Sequence, residues 1–392
     1  MIKKNVLLSI IIPTRNRQYY AEKVVLEMLK NSFEDYEIVI QDNSDNDKLQ
    51  QVFSEINDSR LKYFYDEEKL SFVDNFDKAL KNSNGEYIIF LGDDDCVLPN
   101  IFEVVKKAKK NKVDAIKPSL NYVYYWPGSG VYKENDNGNL YVIDSKNKEY
   151  FSNPKKELIK FLNNGCLDYL KFDMAKIYHG VISRKKIDEI FYDKKKYFDG
   201  LTPDMYMSVT LSQFIDKNLC LEYPISVSGI CGNSGSSDSA TGRHTGDLKN
   251  APHFRGHINY KWNENVPKFY SVETIWAETA LTSIESFNGN LNKYFNAYNL
   301  LKRLKYLYPD YEAEVKSFKE KHYTKYKFNF ERIKYLSNKV SQSIPRMRNF
   351  ISYKLKNKTT ENNYPDISYV VNYFEENKRG FLDAGNYKKN KK

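Results

Sequence analysis

Buried-strand and helix patterns alternate along the first third of the chain. Residues 7–12, 36–40 and 87–91 are nearly continuous apolar runs, which is typical of strands covered on both faces in a parallel sheet. Between them, apolar side chains recur every three or four residues, which predicts helices. The alternation predicts βαβ units and an α/β fold with a doubly wound, mostly parallel sheet. The other elements predicted here are helices at 19–31, 47–56, 72–82 and 100–111 and a short strand at Leu61–Tyr65.

The rest of the chain has a different pattern. Residues 120–150 favour strands, and a helical pattern begins near residue 271 and continues onward. Gly, Ser, Thr and Asn crowd residues 232–246, which predicts a mobile loop. The elements predicted between these segments are helices at 155–163 and 203–217 and strands at 177–183 and 222–230.

Length and composition exclude several classes of protein. The 392 residues, 41% hydrophobic and 29% charged, suffice for two domains and are too apolar for a disordered chain. No apolar run reaches about 18 residues, so we expect no membrane-spanning helix, and the start lacks the features of a signal peptide. Four cysteines without CxxC spacing support neither a zinc ribbon nor a disulfide framework. We therefore expect a cytoplasmic protein.

The formal net charge of +10 is unevenly distributed. Residues 301–392 hold 22 Lys and Arg against 10 Asp and Glu, whereas residues 1–300 hold 39 against 41. The excess of positive charge therefore belongs to a separate basic region, and a nucleic-acid footprint along the whole chain is not supported.

Carboxylates follow two of the predicted strands, at the edge where parallel sheets bind ligands. Asp93, Asp94 and Asp95 come directly after residues 87–91, and three adjacent carboxylates repel one another unless a cation offsets them. Oxygen ligands suit Mg²⁺ or Mn²⁺, while the alternative is an acidic surface turn. Asp42 follows residues 36–40 and either accepts the N–H of a pyrimidine base or forms an Asx-turn.

Three segments together resemble family-2 glycosyltransferases with the GT-A fold. They are residues 9–17 (SIIIPTRNR), 37–44 (EIVIQDNS) and 85–95 (GEYIIFLGDDD). The resemblance is good over residues 6–118 and continues weakly to about 245. It implies a GT-A domain over 1–250, with a nucleotide-binding part (1–118) and an acceptor part (119–250). A basic, mainly helical region, 251–392, follows.

The resemblance also implies the donor site of an inverting transferase. It places Asp93 or Asp94 at the ribose and Asp94 or Asp95 at Mn²⁺ or Mg²⁺ on the diphosphate; the family's common Asp-Ser-Asp-Asp reads Gly-Asp-Asp-Asp here, so which two of the three carboxylates act stays open. Asn75 lies where family members often carry an Asn or Arg near the donor; a solvated helix residue is the alternative. The nucleoside is expected against Pro13, Thr14, Arg15 and Asp42.

The acceptor side is expected to hold the catalytic base. The family places an Asp or Glu at a helix start, and Asp204 occupies that position, with Asp199 as second choice. Pro203-Asp204 also suits a helix first turn for structural reasons alone. His179 and Gly180 resemble the segment between donor and acceptor and are expected to contact sugar, although a satisfied core histidine is the alternative.

The loop at 232–246 contains two further candidates, Arg243 and His244. A lid that carries a cation to the diphosphate would stabilise the leaving group, and an ordinary solvated loop is the alternative. His244, His253 and His257 are not expected to bind zinc, because no Cys or Glu completes a ligand set.

The basic tail combines charge with an apolar stripe. Residues 321–360 hold eleven Lys and Arg and the one acid Glu331, with aromatic and aliphatic side chains every three or four residues from Tyr323 to Leu355. Such a stripe is either the packing face of a helical subdomain or a helix lying on an anionic bilayer. We expect contact with an anionic membrane surface through residues 321–358. Nucleic acid is not an expected partner, because no recognition motif accompanies the charge.

These features together predict an enzyme at the inner face of the cell membrane. The resemblance implies transfer of a sugar from a nucleotide-diphosphate sugar, a UDP-sugar, to a hydroxyl of a glycan or lipid-linked glycan in surface-polysaccharide synthesis. A sugar nucleotidyltransferase would need a Gly-rich loop with a Lys after the first strand, and Pro13-Thr14-Arg15-Asn16 is not one. The other alternative is a basic membrane- or nucleic-acid-binding protein with an inactive GT-A domain.

Overall fold

A computed structural model gives the structure of the protein. It describes residues 6–131, 136–232, 234–235, 244–248, 251–255, 260–287, 289–324, 328–333, 336 and 358–377. Arg243 and most of the predicted membrane segment, residues 325–327, 334–335 and 337–357, lie outside the described residues. Within the described ranges, no helix is both long and apolar enough to cross a bilayer.

The described residues form strands and helices in the predicted alternation. The strands are β1 (Leu8–Thr14), β2 (Tyr36–Asp42), β3 (Leu61–Tyr65), β4 (Tyr87–Phe90), β5 (Cys96–Val97), β6 (Ala115–Lys117), β7 (Tyr122–Tyr125), β8 (Asn139–Ile143), β9 (Glu149–Ser152), β10 (Val181–Ser183), β11 (Asn218–Leu221), β12 (Ser226–Ile230), β13 (Thr245–Gly246), β14 (Tyr270–Ser271) and β15 (Lys358–Asn362). The helices are α1 (Gln18–Leu29), α2 (Lys48–Ser54), α3 (Phe72–Lys81), α4 (Ile101–Lys110), α5 (Pro154–Asn163), α6 (Arg184–Ile190), α7 (Pro203–Phe214), α8 (Val272–Ser286), α9 (Ala297–Leu307), α10 (Glu312–His322) and α11 (Ile367–Asn377).

An eight-stranded sheet forms the centre of the molecule, in the order β3-β2-β1-β4-β10-β6-β11-β9. Strands β3, β2, β1 and β4 are parallel, and β10 joins antiparallel to both β4 and β6. Every residue of β1, β2 and β4 is buried, as a sheet covered on both faces requires. The predicted α/β class with a mostly parallel, doubly wound sheet is confirmed.

Two predicted strands end differently in the structure. The strand predicted at 222–230 begins only at Ser226, as β12, because Pro224 has no N–H to donate to a ladder; β11, which precedes it, was not predicted. The strand predicted at 177–183 is reduced to β10, because His179 has a left-handed φ of +57° and leaves the extended conformation.

The helical pattern predicted from about residue 271 onward does not hold at β15. This polar strand pairs antiparallel with β8 in a second sheet, of order β15-β8-β7-β12-β5. Its residues carry no buried alternation, so only the partner strand reveals it. The following helix α11 buries Val370 and Phe374 in the same core as Leu8 of β1. Residues 358–377 thus close the core of the N-terminal sheet, while the predicted domain boundary at residue 250 stays a prediction.

Helices α7 and α8 pack together on the other side of the molecule. Met205 and Val209 of α7 share a core cluster with Ala277 and Ala280 of α8. Ser271 fixes the start of α8 by a capping box with Thr274, and Pro203 occupies the first turn of α7. These starts bring both helix N-termini to the edge of the sheet where β1 and β4 end.

Candidate active site

A cavity of about 280 Å³ lies at this edge and brings predicted donor and acceptor residues together. Five predicted site residues line it: Pro13, Asp94, Asp95, Asp204 and His244. They come from β1, the segment after β4, the start of α7 and the segment at β13, so only the tertiary fold makes them neighbours. The other residues of the wall include Arg17, Phe72, Phe76, Tyr178, Thr202, Gly229, His253 and Trp276.

Arg17 is the positively charged partner of the Asp cluster. Its Nη2 lies 2.6 Å from Asp93 Oδ1 and its Nη1 lies 3.5 Å from Asp94 Oδ2. Burial raises the pKa of Asp93 to about 7 even though Arg17 opposes the shift, and burial likewise raises the pKa of Asp94. The cluster therefore gains from a cation beside it. Sequence analysis missed Arg17 as a site residue, although it ends the first motif segment.

Asp95 is held by the protein on both of its oxygens, which differs from the predicted metal ligand. Oδ1 accepts the Gly229 N–H at 2.8 Å, and Oδ2 accepts the Gly92 N–H and the Tyr178 hydroxyl, both at 2.7 Å. His179 Nε2 lies 3.2 Å from Oδ2. Burial favours the neutral acid, but His179 and these hydrogen bonds outweigh it and hold the pKa of Asp95 below its ordinary value. In this structure Asp95 is an anchor between strands.

Asp94 is the carboxylate best placed for a metal ion. Trp126 donates its indole N–H to the Asp94 carbonyl at 2.9 Å, and Oδ2 accepts the Cys231 N–H at 3.1 Å, so the residue is fixed on the cavity wall. Among the described residues, no group of three or more His, Cys, Asp or Glu is arranged to hold a metal. Mg²⁺ in nucleotide sites is held by one or two carboxylates together with substrate phosphates. Both oxygens of Asp95 already accept hydrogen bonds from the protein, and the metal-binding roles of Asp94 and Asp95 stay predictions.

Asp42, Thr14 and Arg15, which are predicted to contact the nucleoside, each pair with a different residue of the protein. Asp42 is fully buried; its Oδ1 accepts the Ser44 N–H at 2.8 Å, an Asx-turn, and its Oδ2 accepts the Tyr63 hydroxyl at 3.0 Å. Thr14 donates its hydroxyl to Asp93. Arg15 forms a 3.1 Å ion pair with Asp45 at the surface. These contacts explain the local structure, and the nucleoside roles stay predictions.

Asn75, unlike these residues, has a buried side-chain oxygen without a described hydrogen-bond partner. It is 6% exposed, and its Nδ2 is 3.4 Å from the Thr14 carbonyl. Its Oδ1 is buried and has no hydrogen-bond partner within the described part of the chain. A buried acceptor without a partner is costly, so this atom is ready to receive a donor group from a ligand. The alternative of a solvated helix residue does not hold, because Asn75 is buried, and the contact with the donor stays a prediction.

Asp204 lies in the first turn of α7 on the cavity wall. Burial raises the pKa of its carboxyl above the ordinary value, although backbone N–H groups and Lys176 oppose the shift. A raised pKa makes the carboxylate a stronger base. Thr202, two residues earlier, also lines the cavity, and its buried Oγ1 has no hydrogen-bond partner among the described residues.

His179 and Gly180 are explained by packing. Both ring nitrogens of His179 have protein neighbours, Asp95 Oδ2 at 3.2 Å and Ser226 Oγ at 2.9 Å, and the residue is 5% exposed. A Cβ at Gly180 would overlap the Lys176 carbonyl. His179 thus has the contacts of the satisfied core histidine that the sequence left as the alternative, and Gly180 permits close backbone approach; the sugar contacts of both residues stay predictions.

Aromatic rings form the wall opposite the Asp cluster. His244 stacks on His253 with centroids 5.5 Å apart, and Tyr270 stacks on His244 at 4.9 Å. Burial lowers the pKa of His253 to about 3, so its ring is neutral. Trp276 of α8 joins this wall. Sequence analysis missed His253 and Trp276, because nothing in their local pattern distinguishes them from ordinary core residues.

Comparison with known proteins identifies the family. The sequence of residues 9–177 matches the family model described as Glycosyl transferase family 2. Residues 9–177 form a family-2 glycosyltransferase domain. Within these residues, β3, β2, β1 and β4 are neighbouring parallel strands, and the Asp cluster follows β4 at their carboxyl edge.

Relatives of the family-2 domain cover only part of the chain. This chain is 29% identical over 163 residues to the GalNAc(5)-diNAcBac-PP-undecaprenol beta-1,3-glucosyltransferase of Campylobacter jejuni. The match covers 39% of this chain and 53% of that protein. The chain is 28% identical over 108 residues to the UDP-Glc:alpha-D-GlcNAc-diphosphoundecaprenol beta-1,3-glucosyltransferase WfgD of Escherichia coli, covering 27% and 43%. The chain thus spans about half the length of these relatives. The crystal structure of S. aureus TarS is similar at 15% identity and TM-score 0.43, covering 80% of this chain and 55% of that one.

Proposed function

We propose that this protein is an inverting glycosyltransferase that moves a sugar from a UDP-sugar to a hydroxyl of a glycan acceptor in surface-polysaccharide synthesis. One observation carries the proposal: a cavity in a family-2 domain has Asp94 and Arg17 on one part of its wall and Asp204 on another. Asp94 follows β4 and Asp204 begins α7. Inversion needs a base separate from the group that binds the leaving diphosphate, and these residues supply both.

The names of the relatives support the substrate classes. WfgD is named as using UDP-Glc and a diphosphoundecaprenol-linked sugar, and the Campylobacter relative as acting on a PP-undecaprenol-linked glycan. We therefore propose a UDP-sugar donor and a lipid-linked glycan acceptor for this chain. The aromatic wall of His244, His253 and Trp276 offers flat ring surface to a sugar ring.

Each residue has a defined task in this mechanism. Asp204 accepts the proton of the attacking hydroxyl, and Thr202 Oγ1 holds that hydroxyl in place. Asp94 would hold a divalent cation, which would offset the charge of the diphosphate. Arg17 sits within reach of the same carboxylates and supplies a fixed positive charge at the diphosphate end. Asn75 accepts a hydrogen bond from the donor.

The substitution Asp204→Asn tests the base. Because the amide cannot take a proton, kcat should fall roughly 10²–10⁴-fold, while UDP affinity stays unchanged. Rates are measured as UDP released from UDP-glucose with a GlcNAc-diphospholipid acceptor, and UDP affinity is measured by calorimetry. Asp199→Asn is the matched control, because Asp199 lies on the same loop and bonds only its neighbour Gly200 in the contacts described here. Equal losses of UDP affinity and rate in Asp204→Asn would make Asp204 a structural residue.

We also propose that the enzyme is peripheral on the inner face of the cell membrane. Phe330, Ile333 and Leu336 of the basic stripe are 60%, 65% and 50% exposed, whereas Tyr323 and Phe328 pack against the α8–α9 core. Binding of the full chain to phosphatidylglycerol vesicles should weaken but persist as salt rises, because apolar insertion resists screening. Ile333→Ser should weaken the salt-resistant part, and no vesicle binding at low salt would contradict the proposal.

A further inference from the structure

A second groove, of about 500 Å³, lies between the segment after α5 and helix α9. We call it the basic groove; Asp168, Lys171, Asn299, Lys302, Arg303 and Tyr306 line it. It shares no lining residue with the active-site cavity. Its wall is closely fitted, because a Cβ at Gly165 would lie 2.7 Å from the Leu300 nitrogen of α9. The groove is therefore a built feature of the fold rather than a gap between loose segments.

The charge of the basic groove favours an anion. Three cationic side chains, Lys171, Lys302 and Arg303, line it together with the carboxylate of Asp168. Asp168 Oδ2 lies 3.0 Å from Lys171 Nζ and 3.5 Å from Arg303 Nη2, so one oxygen serves two cations. The lining keeps an excess of positive charge, and a carboxylate or phosphate group entering the groove would offset it.

Two uncharged groups point to a sugar rather than to a simple anion. Asn299 is 6% exposed and donates its amide to the Asn163 carbonyl at 2.9 Å, which fixes its orientation. Its Oδ1 is then left buried, without a hydrogen-bond partner in the described part of the chain, and can accept from a hydroxyl. Tyr306 is 82% exposed and lines the groove. A tyrosine ring has an apolar face and a polar hydroxyl at its tip.

Contacts connect the basic groove to the active-site cavity. Tyr169 follows Asp168, and its ring packs edge-on against Trp276 with centroids 5.7 Å apart. Trp276 lines the active-site cavity. The ring of Tyr169 therefore lies between a residue next to the groove lining and a residue of the cavity wall.

From this arrangement we infer that the basic groove binds an acidic stretch of the acceptor glycan, sugars that carry carboxylate or phosphate groups. The inference rests on the proposed glycosyltransferase function, since it names the class of acceptor. Lys171, Lys302 and Arg303 pair with the acidic groups, Asn299 Oδ1 accepts from a sugar hydroxyl, and a sugar ring packs on Tyr306.

Binding of defined oligosaccharides to the full chain tests the inference. Calorimetry compares hexagalacturonate with uncharged maltohexaose and with inorganic phosphate. We expect hexagalacturonate to bind, to weaken with salt, and to lose at least 10-fold affinity in the double variant Lys302→Gln/Arg303→Gln. Lys305→Gln is the matched control, because Lys305 lies on the same helix and pairs with Glu312 at 2.6 Å outside the groove. Asn299→Leu should weaken hexagalacturonate and leave phosphate unchanged.

Several results would overturn the inference. Equal effects of Lys305→Gln and the double variant would indicate nonspecific charge attraction, and phosphate as tight as hexagalacturonate would indicate a simple anion site. Loss of phosphatidylglycerol-vesicle binding in the double variant, with hexagalacturonate binding intact, would make the groove a membrane contact. Measuring UDP release by the wild type and by Asp204→Asn separates the two proposals. If hexagalacturonate binds the basic groove but the wild type transfers no sugar, the proposed function is refuted. If the wild type transfers sugar but hexagalacturonate does not bind the groove, only this inference is refuted.

Discussion

The substitution Asp95→Asn separates an anchoring carboxylate from a metal ligand. Asp95 accepts two buried backbone N–H groups on different oxygens, from Gly92 at 2.7 Å and Gly229 at 2.8 Å. An asparagine has one acceptor oxygen, so one of these N–H groups must face its NH₂. The unpaired buried donor costs about 1–3 kcal/mol, and loss of the charge weakens bonds that contribute about 1.5–3 kcal/mol each.

We therefore expect Asp95→Asn to lower the free energy of unfolding by about 3–5 kcal/mol, a large share of a typical total of about 5–15 kcal/mol. The assay is urea unfolding at pH 7.5 followed by tryptophan fluorescence. Asp94→Asn is the control: its one oxygen can keep the Cys231 N–H, so it should lose less than about 1 kcal/mol but lose Mn²⁺-dependent UDP binding.

Two other outcomes would refute the interpretation of Asp95 as a structural anchor. An Asp95→Asn protein as stable as wild type, yet unable to bind UDP with Mn²⁺, would make Asp95 the metal ligand. Loss of stability in both variants to the same extent would make the whole Asp cluster structural.

Two further predictions concern the buried acid Glu278 and the metal. Burial raises the pKa of Glu278 to about 7, so its contribution to stability is full below its unfolded pKa near 4.5 and is lost as pH rises toward 7. Glu278→Gln, which keeps an oxygen for Tyr260 and Thr282, should raise the Tm more at pH 8 than at pH 5; equal shifts measured by scanning calorimetry would contradict this. EDTA should abolish sugar transfer and the stabilisation by UDP in a thermal-shift assay, and Mn²⁺ should restore both; full turnover in EDTA would exclude a role for the metal.

The sequence by itself determined the parallel sheet and the edge at which the chemistry collects. Strands β1, β2 and β4 are apolar on both faces, and that pattern is local, so it can be read without knowing any partner strand. Because parallel strands end at one edge, the polar residues after them had to meet there. The first and third motif segments accordingly bring Pro13 and Asp94 to one cavity, and the resemblance added Asp204.

Only the tertiary structure decided which partners each of these residues has. The sequence treats Asp93, Asp94 and Asp95 alike, but Asp95 is held by Gly229, which lies 134 positions away. The strand β15 is polar and becomes recognisable only beside β8, and the Tyr124 hydroxyl meets the Tyr364 carbonyl across 240 positions. Hydrogen bonds and ion pairs act over a few ångströms whatever the separation along the chain, so a local pattern can place a residue at an edge but cannot name its partner.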